Sequence, residues 1–187
     1  RYFSSAASDV YKRQISNYRL GNPLDADTTM GPMAHLRFAD TVRRQTAAAV
    51  TAGATAHIAT MDADDGGAYL TPQLLTGVTH DMEVMREESF GPVVGVMKVS
   101  GDDEAVALMN DSRYGLTASL WTPDVERAAR VGDRVETGTV FLNRADYLDP
   151  GLCWTGVKDT GRGGGLSVIG YHNLTRPKSY HLKKVTS

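Results

Sequence analysis

Met85-Arg86-Glu87-Glu88-Ser89-Phe90-Gly91-Pro92 is the stretch whose reading decides the fold. Two adjacent carboxylates and a ring stand immediately before a Gly-Pro pair, which interrupts helix and regular strand alike because proline offers no N–H and clashes with the preceding turn. The segment is therefore a turn. Directly after it, Val93-Val94-Gly95-Val96-Met97-Lys98-Val99 is apolar and β-branched and predicts a buried strand. A carboxylate and a ring are thus held on a stiff turn at the mouth of a sheet, where α/β proteins place ligand sites. A carboxylate there accepts hydrogen bonds from vicinal hydroxyls such as those of a ribose, and a ring packs on a flat heterocycle. The competing reading of the same residues is a pair of solvated glutamates ahead of a turn.

Outward from this turn, strands and helices alternate. Gly101, Asp102 and Asp103 cap a helix through Asn110, and Leu116 to Trp121 predicts the next strand. Thr122 reads as an N-cap, with Pro123 at the first helical position of a helix to about Arg134, and Gly138 to Asn143 is a further apolar strand. Upstream, Ala39, Val42, Thr46, Ala49 and Val50 form one stripe at helical spacing with Gly53 as a stop. Phe38, at the start of that helix, reads as a core residue. His57 to Thr60 reads as a short strand, and Tyr69 to Val78 as extended chain broken by Pro72. Such alternation implies parallel crossovers, hence an α/β fold with an open, mostly parallel sheet covered by helices on both faces.

A chain of 187 residues can bury one core, and a net charge of −2 with 41% hydrophobic and 22% charged residues gives no electrostatic case for nucleic acid or an anionic membrane. No apolar run reaches the length of a membrane span. The single cysteine, Cys153, excludes an internal disulfide and fits a reducing, cytoplasmic setting. The five histidines show no ligand spacing, so no metal site is expected. Gly161-Arg162-Gly163-Gly164-Gly165 lacks the Gly-Lys-Ser/Thr of a phosphate loop and reads as a bend that permits close packing.

Several of these strings together resemble one family. Glu87-Glu88-Ser89-Phe90-Gly91-Pro92-Val93 resembles the E-E-x-F-G-P-V signature of the aldehyde dehydrogenase superfamily. In order and spacing, Asn110 with Tyr114-Gly115-Leu116, Gly138 to Asn143, and the loop ending Cys153-Trp154-Thr155-Gly156-Val157-Lys158 resemble its N-x-x-x-Y-G-L-x-A, G-x-V-x-x-N and P-[FW]-x-G-x-K motifs. The resemblance runs from Leu20 to about Lys184, with Gln73 and Cys153 departing from the pattern. Arg1 to Gln14 has no counterpart and is expected to lie outside the fold, as a non-native or disordered segment.

The resemblance implies an NAD- or NADP-dependent oxidation of a small aldehyde by thiolate attack, hydride transfer to nicotinamide and hydrolysis of a thioester. Glu88 would then bind the nicotinamide-side ribose and Phe90 would lie against the cofactor, with Arg37 and Phe38 as secondary cofactor candidates. Trp154, Tyr147 and Asn143 would contact the aldehyde. The nucleophile and the general base are expected upstream of this chain, and Cys153 lacks the context of either, so no catalytic residue is assigned. Residues 15–172 would be the C-terminal part of the catalytic domain. Residues 173–187, basic and extended, would be a strand that joins a homodimer or homotetramer. A coenzyme A-acylating dehydrogenase, a semialdehyde-phosphate reductase and a non-catalytic oligomerising module are the alternatives.

Overall fold

The computed structural model describes residues 3–145 and 147–185, and the chain divides into two compact units, residues 1–99 and 100–187. In the first unit, helix α1 spans Phe3–Ser16 and helix α2 Leu36–Thr51. Strands β1 (Thr55–Ala56), β2 (Gln73–Thr76) and β3 (Val93–Val96) form a sheet in that order, with the one-turn helix α3 (Glu83–Arg86) between the last two. β1 runs antiparallel to β2, and β2 parallel to β3.

Helix α2 forms because His35 caps it, Nδ1 accepting from the Arg37 N–H at 3.1 Å, and because Ala39, Val42 and Ala49 recur on one face. Gln45 completes that buried face, while Val50, expected on it, is exposed. Gly53 ends the helix at φ +105°, a conformation glycine adopts without a Cβ penalty. Below this face sit Ala54, Leu75, Val78 and Met82, the core of the unit.

Three expectations change here. The segment around Gln14 is helical, and Ile15 at the end of α1 is buried. β1 falls at Thr55–Ala56, ahead of His57; beyond it the Gln73 side chain takes over the pairing, its Nε2 donating to Ile58 O at 2.7 Å and its Oε1 accepting from Ile58 N. β3 is half-buried, with Val94 41% exposed, because only β2 pairs with it in this sheet.

The second unit holds α4 (Asp102–Asn110), β4 (Tyr114–Gly115), β5 (Thr117–Leu120), α5 (Val125–Gly132), β6 (Thr139–Leu142), β7 (Trp154–Thr155), β8 (Val157–Lys158), β9 (Gly164–Gly165) and α6 (Ser167–Asn173). β5 and β6 are parallel across α5, the crossover that alternation predicts. β4 pairs with β8 and β7 with β9, both antiparallel. The fold is therefore mixed α/β with two parallel pairs, β2/β3 and β5/β6, and the described strands make one three-stranded sheet and three two-stranded ones. The core of the second unit gathers Val106, Ala118 and Val135, with Val131 packed on them.

Helix α5 starts later than expected. Asp124 is the N-cap, its carboxylate accepting from the Arg127 N–H at 2.8 Å, and Thr122 instead accepts from Asp124 N at 3.1 Å. A carboxylate complements the helix N-terminus better than a hydroxyl does, which moves Pro123 outside the helix. Helix α6 has no counterpart in the sequence reading; Gly170 lets it approach the Gly165 backbone, where an added Cβ would come within 3.3 Å. Residues 174–185 carry no strand and are exposed throughout.

Candidate functional site

In the first unit the turn from Glu87 to Pro92 is fixed at both flanks. Glu87 N donates to Glu83 O at 2.9 Å, closing α3, and Gln73 N donates to Pro92 O at 2.8 Å, tying the turn to β2. Gly91 meets α2 so closely that a Cβ would lie 2.6 Å from Val42 Cγ2 and 3.1 Å from Met33 Cε. α3 is itself braced from α2, because Arg44 donates to both Glu83 oxygens, at 2.5 and 2.8 Å. The Arg44 hydrogen bond holds the Glu83 carboxyl below its usual range, partly opposed by desolvation.

On this braced turn Phe90 adopts φ 50° and leaves its ring 80% exposed. A bulky residue in the left-handed region is uncommon and costs energy. Glu88, two residues earlier, is exposed and makes no ion pair among the described residues. The turn thus displays one carboxylate and one ring and hides the rest, including a buried Ser89 hydroxyl. Its location corrects the sequence reading. Gln73 pairs with Val93, so the turn lies at the amino ends of β2 and β3, opposite the carboxyl ends at which such sheets usually bind. A cavity of about 380 Å³ adjoins it, walled by Ile15, Tyr18, Pro72, Gly91, Pro92 and Val94.

Arg37 and Phe38 occupy the first turn of α2, Phe38 one helical turn before Val42. They engage each other: the guanidinium carbon stands 4.7 Å above the Phe38 ring. Phe38 is 39% exposed and is not the core residue its apolarity suggested. Next to them Arg43, which sequence reasoning missed, donates to Asp64 at 3.0 Å and to the carbonyls of Gly66, Gly67 and Tyr69. Burial pushes the Asp64 carboxyl up, but hydrogen bonds from Thr71 and Arg43 overcome it and leave the group below its ordinary range.

In the second unit the candidates lie at or beyond the carboxyl ends of the parallel pair β5/β6. Asn143 follows β6 with φ 53°, and its side-chain amide is hydrogen-bonded in both directions to the Thr122 backbone. Arg144 comes next, its carbonyl accepting from the Ser119 hydroxyl, and its guanidinium carbon lies 3.8 Å over the Tyr147 ring, which is 51% exposed. Trp121, one residue past β5, is 70% exposed. Trp154 is half-buried in β7, in register with Gly165, and therefore also anchors the loop. Half-buried Cys153 has its Sγ against Gly164. Arg144 was legible only as the first charged residue after a strand; its stacking on Tyr147 depends on the loop's path.

The aldehyde dehydrogenase family model matches residues 4–180. The chain belongs to the aldehyde dehydrogenase family. Its match begins at residue 4, so the family pattern includes α1. Among curated relatives, an NADP(+) succinate-semialdehyde dehydrogenase of Deinococcus radiodurans is 39% identical over 158 residues, 84% of this chain and 33% of the relative. Among solved structures, betaine aldehyde dehydrogenase of Staphylococcus aureus in complex with NAD+ aligns with a TM-score of 0.82 at 30% identity, over 91% of this chain and 35% of that one. Succinate-semialdehyde dehydrogenase of Burkholderia pseudomallei aligns with a TM-score of 0.85 at 29% identity, again over 91% and 35%. The chain thus spans about a third of the length of the aldehyde dehydrogenases it matches.

Proposed function

We propose that this chain forms the part of an NAD- or NADP-dependent aldehyde dehydrogenase that grips the cofactor's ribose and walls the aldehyde site, in an enzyme that converts an aldehyde to a carboxylic acid. The observation that carries this reading is the turn of Glu88 and Phe90, which exposes a carboxylate without an ion pair among the described residues, and a ring, while its flanks are fixed. These groups fit a nicotinamide nucleotide: Glu88 accepts hydrogen bonds from the ribose hydroxyls, and the Phe90 ring packs beside the base. When bound, the nicotinamide supplies hydride acceptance. Holding the turn in one strained conformation before binding reduces the ordering cost that a mobile carboxylate would incur.

On the aldehyde side, Tyr147 and Trp154 supply apolar wall, and Asn143 fixes where the loop leaves the sheet. The nucleophile and base of the reaction are assigned to residues beyond this chain, so the chain alone is expected to form no NADH from any aldehyde. Residues 174–185 are proposed to pair with another subunit; Leu174, Leu182 and Val185 are each at least 85% exposed, which a partner strand would relieve.

In an enzyme that contains this chain, Glu88→Gln is expected to raise the KM for the cofactor about tenfold, the scale of a lost charge-assisted hydrogen bond, and to leave the KM for the aldehyde nearly unchanged. Unaltered cofactor kinetics in that variant would remove the assignment.

A further inference from the structure

The loop after β6 presents a cation in an unusual setting. In the second unit Arg113, Arg127 and Arg134 each reach a carboxylate, at 2.9, 2.5 and 2.8 Å, whereas Arg162 and Arg176 make no ion pair among the described residues. Arg144 is held differently. Its backbone is pinned to β5 by the Ser119 hydroxyl, the preceding residue is locked to Thr122, and its guanidinium lies on Tyr147. No carboxylate among the described residues pairs with it. Asp149, further along the loop, is engaged by the Gly151 N–H at 2.8 Å. A guanidinium stacked by its face keeps its fork of N–H donors at the edge, and that fork matches a carboxylate.

The stacking has a second consequence. Aromatic walls are what recognise quaternary ammonium groups, but one face of Tyr147 is already covered by the Arg144 cation, so a cationic ligand at this ring would meet like-charge repulsion. An anionic ligand meets no such obstacle. We propose that Arg144 is the anchor for a carboxylate at the far end of the substrate, so that the preferred class is aldehydes bearing a terminal carboxylate. The proposal rests on the reading of this loop as the aldehyde wall.

Heteronuclear NMR of the arginine Nε–H groups in the 187-residue chain tests it with unreactive probes. Succinate is expected to shift the Arg144 signal saturably, with an apparent Kd about tenfold below that of neutral succinamide, and choline at the same concentration to leave it in place. Arg144→Gln should abolish the succinate response while the backbone spectrum away from the loop stays the same, and Arg144→Lys should restore part of it. Equal responses to succinate and succinamide, or a choline response that releases the guanidinium from Tyr147, would overturn the proposal. Signals of Glu88 and Phe90 on addition of NAD+ report the cofactor reading separately, so an NAD+ response without an anion response removes only Arg144.

Discussion

Thr122 N–H donates to Asn143 Oδ1 at 2.9 Å, and Asn143 Nδ2 donates back to the Thr122 carbonyl at 2.9 Å. This two-way exchange extends the pairing of β5 with β6 one step past Leu120 and Leu142 and fixes the point at which both carboxyl-end loops leave the sheet. Asparagine suits the position twice, since it tolerates φ 53° and its amide carries both a donor and an acceptor.

Asn143→Ala removes both bonds and places a less tolerant residue in the left-handed region. The cost is expected to be about 1–2 kcal/mol, read as a lower urea midpoint with an unchanged slope. Asn143→Gly, which loses the amide but suits the backbone, should be the milder variant; the reverse order would show that the hydrogen bonds contribute little.

Phe90 combines a left-handed backbone with an 80% exposed ring, so it contributes strain and little burial. Phe90→Gly is expected to leave the chain no less stable, and up to about 1 kcal/mol more so, while weakening cofactor use in an enzyme containing this chain. A clear fall in melting temperature would show that the ring packs on the protein.

The carboxyl group of Asp64 ionises below its ordinary value of 3.8 in the folded chain. A lowered folded pKa contributes stability at all pH values above 3.8, and that contribution is lost as pH falls through the folded value. Asp64→Asn is therefore expected to lower stability at neutral pH and to flatten the decline of stability below about pH 4, in urea titrations across a pH series. An acid limb identical to the parent's would place the sensitivity in other carboxylates.

Gly138 passes so close to β7 that an added Cβ would run into the Thr155 carbonyl. Backbone cannot swing aside as a side chain can. Gly138→Ala should cost more than about 2 kcal/mol and displace neighbouring Trp154, seen as a lower melting temperature and changed tryptophan fluorescence. Gly101→Ala, where a Cβ meets open space, is the control expected to change little.

The sequence by itself determined the central turn, α2, the β5-α5-β6 unit and the family. The Gly91-Pro92 break forces a turn, and the apolar periodicities of α2 and the β5-α5-β6 unit are written in residues three, four or two apart. Family motifs from Glu87 to Lys158 carried the membership that the match over residues 4–180 bears out. Only the tertiary structure decided that β2 runs parallel to β3 and so brings its own amino end to the turn, because strand direction relative to a neighbour depends on the pairing formed between residues twenty apart. It also decided that Phe38 stacks under Arg37 and not in the core, that Gln73 prolongs β1 with its side chain, and that Arg144 lies on Tyr147. Those are choices of side-chain partner, settled by where the backbone brings a donor or a ring within reach, and no periodicity in the chain encodes them.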